Sequence, residues 1–77
     1  MGQHAAYWRD LTRAGTAVAF GPVVDPAGVY GLGVVRAADE QAARAIADAD
    51  PVVRANAGFQ VEIAPMMALV TKDDLDE

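Results

Sequence analysis

The 77-residue chain contains no cysteine, so no disulfide can strengthen its fold and no thiolate can serve as a nucleophile. Aromatic residues are scarce at 6%, and there is a single histidine. A lone histidine without clustered ligands makes a poor metal site, so we expect no bound metal. The sequence also has no glycine-rich phosphate-binding loop. We therefore expect a protein that works without a cofactor.

Basic clusters and long apolar runs are missing as well. The net charge is −5, but four of the eleven acidic residues lie in residues 73–77, which leaves seven acids against six bases in the rest of the chain. No positive patch is available to follow a phosphate backbone, so we expect no nucleic-acid partner. No run approaches the roughly 20 apolar residues that span a bilayer. Without a signal-peptide pattern, the expected location is cytoplasmic, with no membrane partner.

Apolar residues are abundant, at 53% of the sequence. A chain this short buries only about 60% of the surface that its unfolded form exposes. Association with a second copy would bury more of it, so the composition predicts a homodimer or a higher homo-oligomer. A compact but marginally stable monomer is the alternative.

The first half of the sequence predicts a helix followed by a β-hairpin. Residues 3–14 carry apolar side chains at helical spacing, and Gly15 follows as a C-cap. Residues 16–24 read as a strand that is interrupted at Gly21-Pro22. Because proline donates no ladder hydrogen bond, this point should be a sheet edge, a bulge or a strand end. Residues 25–28 have the composition of a type I turn, and residues 29–36 form the return strand.

The second half predicts a helix, a short helical turn and a last strand. Asp39 is the predicted N-cap of a helix that runs to Ala49 and buries one face, formed by Ala42, Ala45, Ile46 and Ala49. Asp50-Pro51 starts a turn over residues 52–56. Residues 59–63 alternate apolar and polar side chains, which predicts a strand that residues 66–71 extend.

The predicted order is therefore α-β-β-α-β, which places the chain in the α+β class, with helices on one face of an antiparallel or mixed sheet. It matches a ferredoxin-like order without the first strand. We assign residues 1–72 to one domain and residues 73–77 to an acidic, frayed C-terminal tail.

Several short segments resemble one family when they are taken together and in order. They are Gln3 to Trp8 with Leu11 and Gly15, Phe20-Gly21-Pro22 with residues 25–28, residues 31–35, residues 50–55, and residues 58–63 with Pro65-Met66. With these segments the chain resembles the YciI-like (YCII-related) family of dimeric ferredoxin-like α/β-barrel proteins. Members usually begin with a strand ahead of the histidine helix, whereas Met1 lies three residues before His4 here. We expect the last apolar segment, residues 66–71, to fill that gap by pairing with a second copy.

The resemblance implies a dyad of His4 with Asp50 as the catalytic pair. We therefore expect the two side chains within hydrogen-bond reach, directly or through one water, in a cleft between the first helix and the sheet. A carboxylate can fix the tautomer of an imidazole and raise its basicity. From the residues alone, Asp50 can equally be a helix cap and nothing more. His4 lies on the same helix face as Trp8 and Leu11, and it can equally be an amphipathic residue near a frayed end.

Six further residues are candidates for substrate binding, and five of them have a structural alternative. The two aromatic residues of the first helix can instead pack in the core. The Gly-Pro pair can simply mark a strand end, and the arginine can be a solvated surface residue. The candidates are Tyr7, Trp8, Phe20, Gly21, Pro22 and Arg54.

Two functions follow from these observations. The first is a small cofactor-independent enzyme that transfers protons on a small aromatic or enolisable substrate through the dyad, with lyase or isomerase chemistry as the candidate classes. Among relatives, one type eliminates hydrogen chloride from a chlorinated hydroxyquinol. The second is a non-catalytic small-molecule-binding or accessory dimerisation domain.

Overall fold

The computed structural model describes residues 2–55 and 58–75. Its elements, in chain order, are α1 (Gly2–Arg13), β1 (Ala17–Asp25), β2 (Gly28–Val35), α2 (Glu40–Asp48), α3 (Pro51–Arg54) and α4 (Lys72–Leu75). The α+β class predicted from the sequence is confirmed, and the arrangement is consistent with a truncated ferredoxin-like fold. The part of the chain that is described contains one sheet, made of two strands.

The hairpin of β1 and β2 is the longest paired segment in the described chain, and its strands run antiparallel. Its turn is closed by the Asp25 carboxylate, which accepts a hydrogen bond from the backbone N–H of Ala27 at 2.8 Å. β1 is not interrupted at Gly21-Pro22, since it continues through both residues and Pro22 pairs with Gly31. Of the three placements predicted for this point, the edge strand is the one observed in the described residues. Both strands of a two-stranded sheet are edges, where a proline can direct its missing N–H away from the partner.

Helix α1 packs against β1 mainly through Trp8. The indole stacks on the Phe20 ring, with ring centroids 6.2 Å apart and planes 30° from parallel. It also lies directly on Gly33, where an added Cβ would be 2.7 Å from two of its ring carbons. Phe20 and Gly33 are register partners in the hairpin. The indole therefore lies over the pair formed by Phe20 and Gly33. It fits there because Gly33 has no side chain.

Helix α2 begins as predicted but buries less than predicted. The Asp39 carboxylate accepts from the N–H of Ala42 at 2.8 Å, which confirms the predicted N-cap. The prediction that one whole face is buried is wrong, since Ala42 and Ile46 are half-buried whereas Ala45 and Ala49 are exposed. The physical reason is that the sheet expected to cover this face has only two strands in the described residues.

The predicted last strand is not formed. Residues 59–63 and 66–71 belong to no strand, and Phe59 and Met67 are 63% and 104% exposed. An alternating pattern becomes a strand only when a neighbouring edge supplies hydrogen-bond partners. The turn predicted over residues 52–56 is α3, which ends at Arg54, and its predicted last residue, Asn56, lies outside the described residues.

The predicted acidic tail is described only as far as Leu75, and its last two residues, Asp76 and Glu77, lie outside the described residues. Residues 72–75 form the helical turn α4. The Asp74 carboxylate accepts hydrogen bonds from both the N–H and the hydroxyl of Thr71, at 2.8 and 3.1 Å. These bonds lower the pKa of Asp74 below its ordinary value.

Little of the described chain is fully buried. Among its hydrophobic residues, only Ala17 is buried, at 2% exposure. Within residues 2–55 and 58–75, no helix has the length and apolar character needed to cross a membrane.

Candidate functional site

Asp50 is the centre of the candidate site, and it is the one buried polar residue among those described, at 5% exposure. It follows α2 and is the N-cap of α3, with Pro51 at the start of that helix. Its Oδ1 accepts a hydrogen bond from the backbone N–H of Val52 at 3.0 Å. The capping role predicted from the sequence is confirmed, and it occupies only one of the two carboxylate oxygens.

The other oxygen, Oδ2, connects α3 to α1. His4 Nδ1 lies 2.7 Å from Oδ2, and Trp8 Nε1 donates to the same atom at 2.7 Å. His4 and Trp8 are four residues apart in α1 and so project from one face of the helix. The contact between His4 and Asp50 that the sequence predicts is present. It lies where α1 meets the start of α3, however, and not between α1 and the sheet.

The electrostatics of the site keep the Asp50 carboxylate charged. Burial by itself raises the pKa of this carboxyl, but the hydrogen bonds from Trp8, His4 and Val52 and the charge of His4 outweigh it, so that the pKa is lowered from its ordinary value. An ionised carboxylate only accepts hydrogen bonds. The proton in the His4–Asp50 contact is therefore assigned to Nδ1 of His4.

This assignment leaves Nε2 of His4 as the ring atom that can take up or release a proton. The His4 side chain is 43% exposed, whereas that of Asp50 is 6% exposed. Among the described residues, Nε2 has no hydrogen-bond partner. A half-exposed imidazole held from behind by a buried carboxylate is an arrangement suited to general acid–base chemistry.

Tyr7 is adjacent to the site but serves the packing of α1. Its hydroxyl donates to the backbone carbonyl of Ile46 in α2. Burial raises the pKa of Tyr7, and the nearby negative charge of Asp50 raises it further. Tyr7 therefore remains a neutral hydrogen-bond donor that fastens α1 to α2, beside the edge of the Trp8 ring.

The remaining candidates for substrate binding do not surround the dyad. Phe20, Gly21 and Pro22 line an open depression of about 250 Å³ on the hairpin, and the described residues around it all belong to β1 and β2. Phe20 alone links this depression to the dyad, through its stacking on Trp8. Arg54 is exposed at the end of α3, and no hydrogen bond or ion pair of its side chain is seen in the described part of the chain.

Sequence reasoning missed two features of the site. One is the role of Trp8 as a donor to Asp50, since we expected the indole to pack in the core or line a pocket. Its spacing from His4 was the available signal, because a residue four positions away can reach the same partner. The other is Gly33, whose contact with the indole depends on the packing of α1 against the hairpin and leaves no local pattern.

The residues at the site do not form a metal-binding set. In the described ranges, no group of three or more histidine, cysteine, aspartate or glutamate side chains is placed to hold a metal ion. Trp8, the third side chain at Asp50, offers an indole N–H, which only donates hydrogen bonds.

Fold and site together define a small α+β protein whose first helix holds a histidine against a buried, helix-capping aspartate. The family model of the YCII-related domain matches residues 1–67. The chain belongs to the YCII-related family. No curated protein and no solved structure matches it.

Proposed function

We propose that this YCII-related protein is a cofactor-independent enzyme in which His4 transfers protons and Asp50 orients it. The observation that carries the proposal is the burial of a single carboxylate whose second oxygen is directed at the ring of the single histidine. Capping α3 uses only Oδ1, and Oδ2 is directed at the ring of His4. This second contact supports a role for Asp50 in proton transfer by His4.

In the proposed mechanism, the Nε2 atom of His4 removes a proton from the substrate and later returns one. Asp50 keeps the other ring nitrogen protonated and stabilises the positive charge that develops on the imidazole. A positioned general base of this kind typically accelerates a reaction by about 10²–10⁴-fold. Neither step requires a metal or a redox group.

The proposed substrate is a small aromatic or enolisable molecule with an acidic proton. Trp8 and Phe20 present stacked aromatic rings next to the dyad, which suits a flat ring. Gly21 and Pro22 extend the same surface along the hairpin. Tyr7 and Arg54 remain weaker candidates, since the hydroxyl of Tyr7 is already engaged and Arg54 is exposed at the end of α3.

We also propose that the protein acts as a homodimer or higher homo-oligomer. Large apolar side chains are exposed both on the hairpin and in the segment after residue 58, with Val24 at 83% and Met66 at 59% exposure. Deleting residues 66–77 should then dissociate or unfold the protein. A truncated chain that keeps the dimer mass in sedimentation and melts unchanged would contradict this pairing.

Activity is best tested by proton exchange, because exchange needs no knowledge of the final product. Phenols and enolisable aromatic ketones would be incubated with the protein in D₂O, and the loss of their C–H signals followed by NMR. Chloride release from a chlorinated hydroxyquinol would be measured in parallel. His4→Gln should abolish any acceleration, and Asp50→Asn should reduce it by about 10²–10⁴-fold.

Asp48→Asn is the matched control for this experiment, since Asp48 is exposed two residues before Asp50. It should leave the rate unchanged. A rate in His4→Gln equal to that of the wild type would refute the proposal.

A non-catalytic binding domain is the second candidate, and one observation favours it. The depression on the hairpin is lined by residues of β1 and β2 and not by His4 or Asp50. In that case, ligands would raise the melting temperature of the wild type and of His4→Gln equally. An enzyme that uses the dyad should lose at least part of the ligand effect in His4→Gln.

A further inference from the structure

We propose that Trp8 is a positioning residue for the dyad, and that its indole N–H holds the Asp50 carboxylate in the orientation that directs Oδ2 at His4. This role is independent of what the dyad does, and only its catalytic consequence rests on the proposed function. It is distinct from the packing role that an aromatic residue in an amphipathic helix ordinarily has.

The hydrogen bonds at Asp50 show why a third donor matters. Oδ1 is held by the backbone of α3, through the N–H of Val52. Oδ2 receives both Trp8 Nε1 and His4 Nδ1 at 2.7 Å. The His4 side chain is 43% exposed, so this partner is accessible to water. Without the indole N–H, that half-exposed imidazole would be the only side chain among the described residues that holds Oδ2 in place.

The indole can serve as an anchor because it is itself held on several sides. One face lies on Gly33, and the ring stacks on Phe20. The ring of Tyr7 meets it edge-on, with centroids 5.8 Å apart and planes at 87°. The packing of the indole on the hairpin thus sets the position of the Trp8 N–H. Through its hydrogen bond to Oδ2, this N–H in turn orients the Asp50 carboxylate.

The sequence makes this role easy to measure, since tryptophan and histidine each occur once. The ¹⁵N resonances of the indole and of the imidazole are therefore assigned without mutagenesis. We would incorporate benzothienylalanine at position 8, which keeps the shape of the side chain and replaces the N–H by sulfur. Trp8→Phe is the genetically encoded second variant.

Both variants should raise the pKa of Asp50, followed through its side-chain ¹³C resonance, because a hydrogen bond to the charged carboxylate is lost. The fraction of His4 with its neutral ring protonated at Nδ1 should fall at the same time. Tyr7→Phe is the matched control, since it removes the neighbouring donor of α1, whose partner is the Ile46 carbonyl and not Asp50. It should change neither readout, although it lowers stability.

Two glycines of β2 provide a second, independent test of the same proposal. A Cβ at Gly33 would overlap the indole, at 2.7 Å from two ring carbons, whereas a Cβ at Gly31 would meet nothing within 4 Å. Gly33→Ala should therefore displace the indole N–H resonance and raise the pKa of Asp50. Gly31→Ala should leave both as in the wild type.

The outcomes separate this proposal from the proposed function. If the benzothienylalanine protein is folded and Asp50 titrates as in the wild type, Trp8 only packs and the proposal is wrong. Equal shifts in Tyr7→Phe would also overturn it, since they would reflect loosening of α1 in general. If the expected shifts occur in a protein that shows no exchange activity, Trp8 positions the dyad and the catalytic proposal alone fails.

Discussion

Two regions of this chain are both rich in apolar residues and have very different structures. Residues 2–55 form three helices and a hairpin, linked by side-chain hydrogen bonds that converge on Asp50. Residues 59–70 contain Phe59, Val61, Ile63 and several apolar residues after Pro65, yet they form no helix or strand. The comparison shows that apolar content does not decide which segment becomes ordered. A segment also needs partners for its backbone and its polar groups.

Asp50 supplies such partners to three donors in two elements, His4 and Trp8 of α1 and Val52 of α3. Replacing it by alanine leaves the donors of His4, Trp8 and Val52 without their acceptor. A lost N-cap and unpaired, partly buried donors together should lower the free energy of unfolding by about 2–4 kcal/mol. Urea unfolding followed by the fluorescence of Trp8 measures this, and it is the largest effect that we expect.

Asp48→Ala is the control, because the exposed Asp48 side chain makes no hydrogen bond within the described chain. Its effect should stay within about 0.5 kcal/mol. If Asp50→Ala were equally mild, the ordered region would not depend on this residue.

The second link between α1 and the following helices is the hydroxyl of Tyr7. Tyr7→Phe removes its hydrogen bond to the Ile46 carbonyl and should lower the free energy of unfolding by about 1 kcal/mol. Tyr30→Phe is the matched variant, since Tyr30 is 52% exposed and its hydroxyl has no hydrogen bond to a described residue. It should have no measurable effect, and equal losses from both variants would argue against the link.

Acid should weaken the ordered region through Asp50. Its pKa in the folded chain is lowered from the ordinary 3.8. At a pH between the folded-state pKa of Asp50 and 3.8, the unfolded chain binds more protons than the folded chain. The free energy of unfolding therefore increases with pH in this range. This contribution is complete above 3.8 and is lost as the pH falls through the folded-state pKa.

Asp50→Asn should therefore flatten the acid limb of a plot of stability against pH, whereas Asp48→Asn should leave it unchanged. Thermal melts between pH 2 and pH 6 would measure both, the range being chosen to extend on either side of the carboxylate pKa values. If Asp50→Asn lost stability at low pH as steeply as the wild type, groups other than Asp50 would be responsible for the acid sensitivity.

The smallest effect is expected in the C-terminal region. Met67 is fully exposed, at 104%, so Met67→Ser should change the stability of a single chain by no more than about 0.5 kcal/mol. Under the proposed pairing between copies, the same substitution should weaken the dimer. Unfolding at two protein concentrations distinguishes the two contributions, because only dimer dissociation depends on concentration. If the unfolding of the wild type did not depend on protein concentration, the proposed pairing of residues 66–71 between copies would be wrong.

The elements that the sequence predicts well are those specified by nearby residues. Asp39, Asp50-Pro51 and the turn at residues 25–28 are local signals, and each appears at the predicted place. The strand over residues 59–63 failed because its hydrogen-bond partners would have to come from another part of the sheet. An alternating pattern specifies which face is apolar, but it does not supply an edge to pair with.

The candidate site divides in the same way. The pairing of His4 with Asp50 came from the resemblance to the family, and the cap on α3 came from the residues themselves. The donation by Trp8 and the fit of its ring on Gly33 depend on how α1 packs on the hairpin. Such contacts join residues 25 or more positions apart, where no sequence periodicity operates.

The account rests on Asp50 holding the proton of the neutral His4 ring at Nδ1. A long-range ¹H–¹⁵N spectrum of the single histidine, recorded at a pH where the ring is neutral, tests this directly. We predict a mainly Nδ1-protonated ring in the wild type and a clear loss of that tautomer in Asp50→Asn. A ring protonated mainly at Nε2 in the wild type, or the same spectrum in both proteins, would contradict the account.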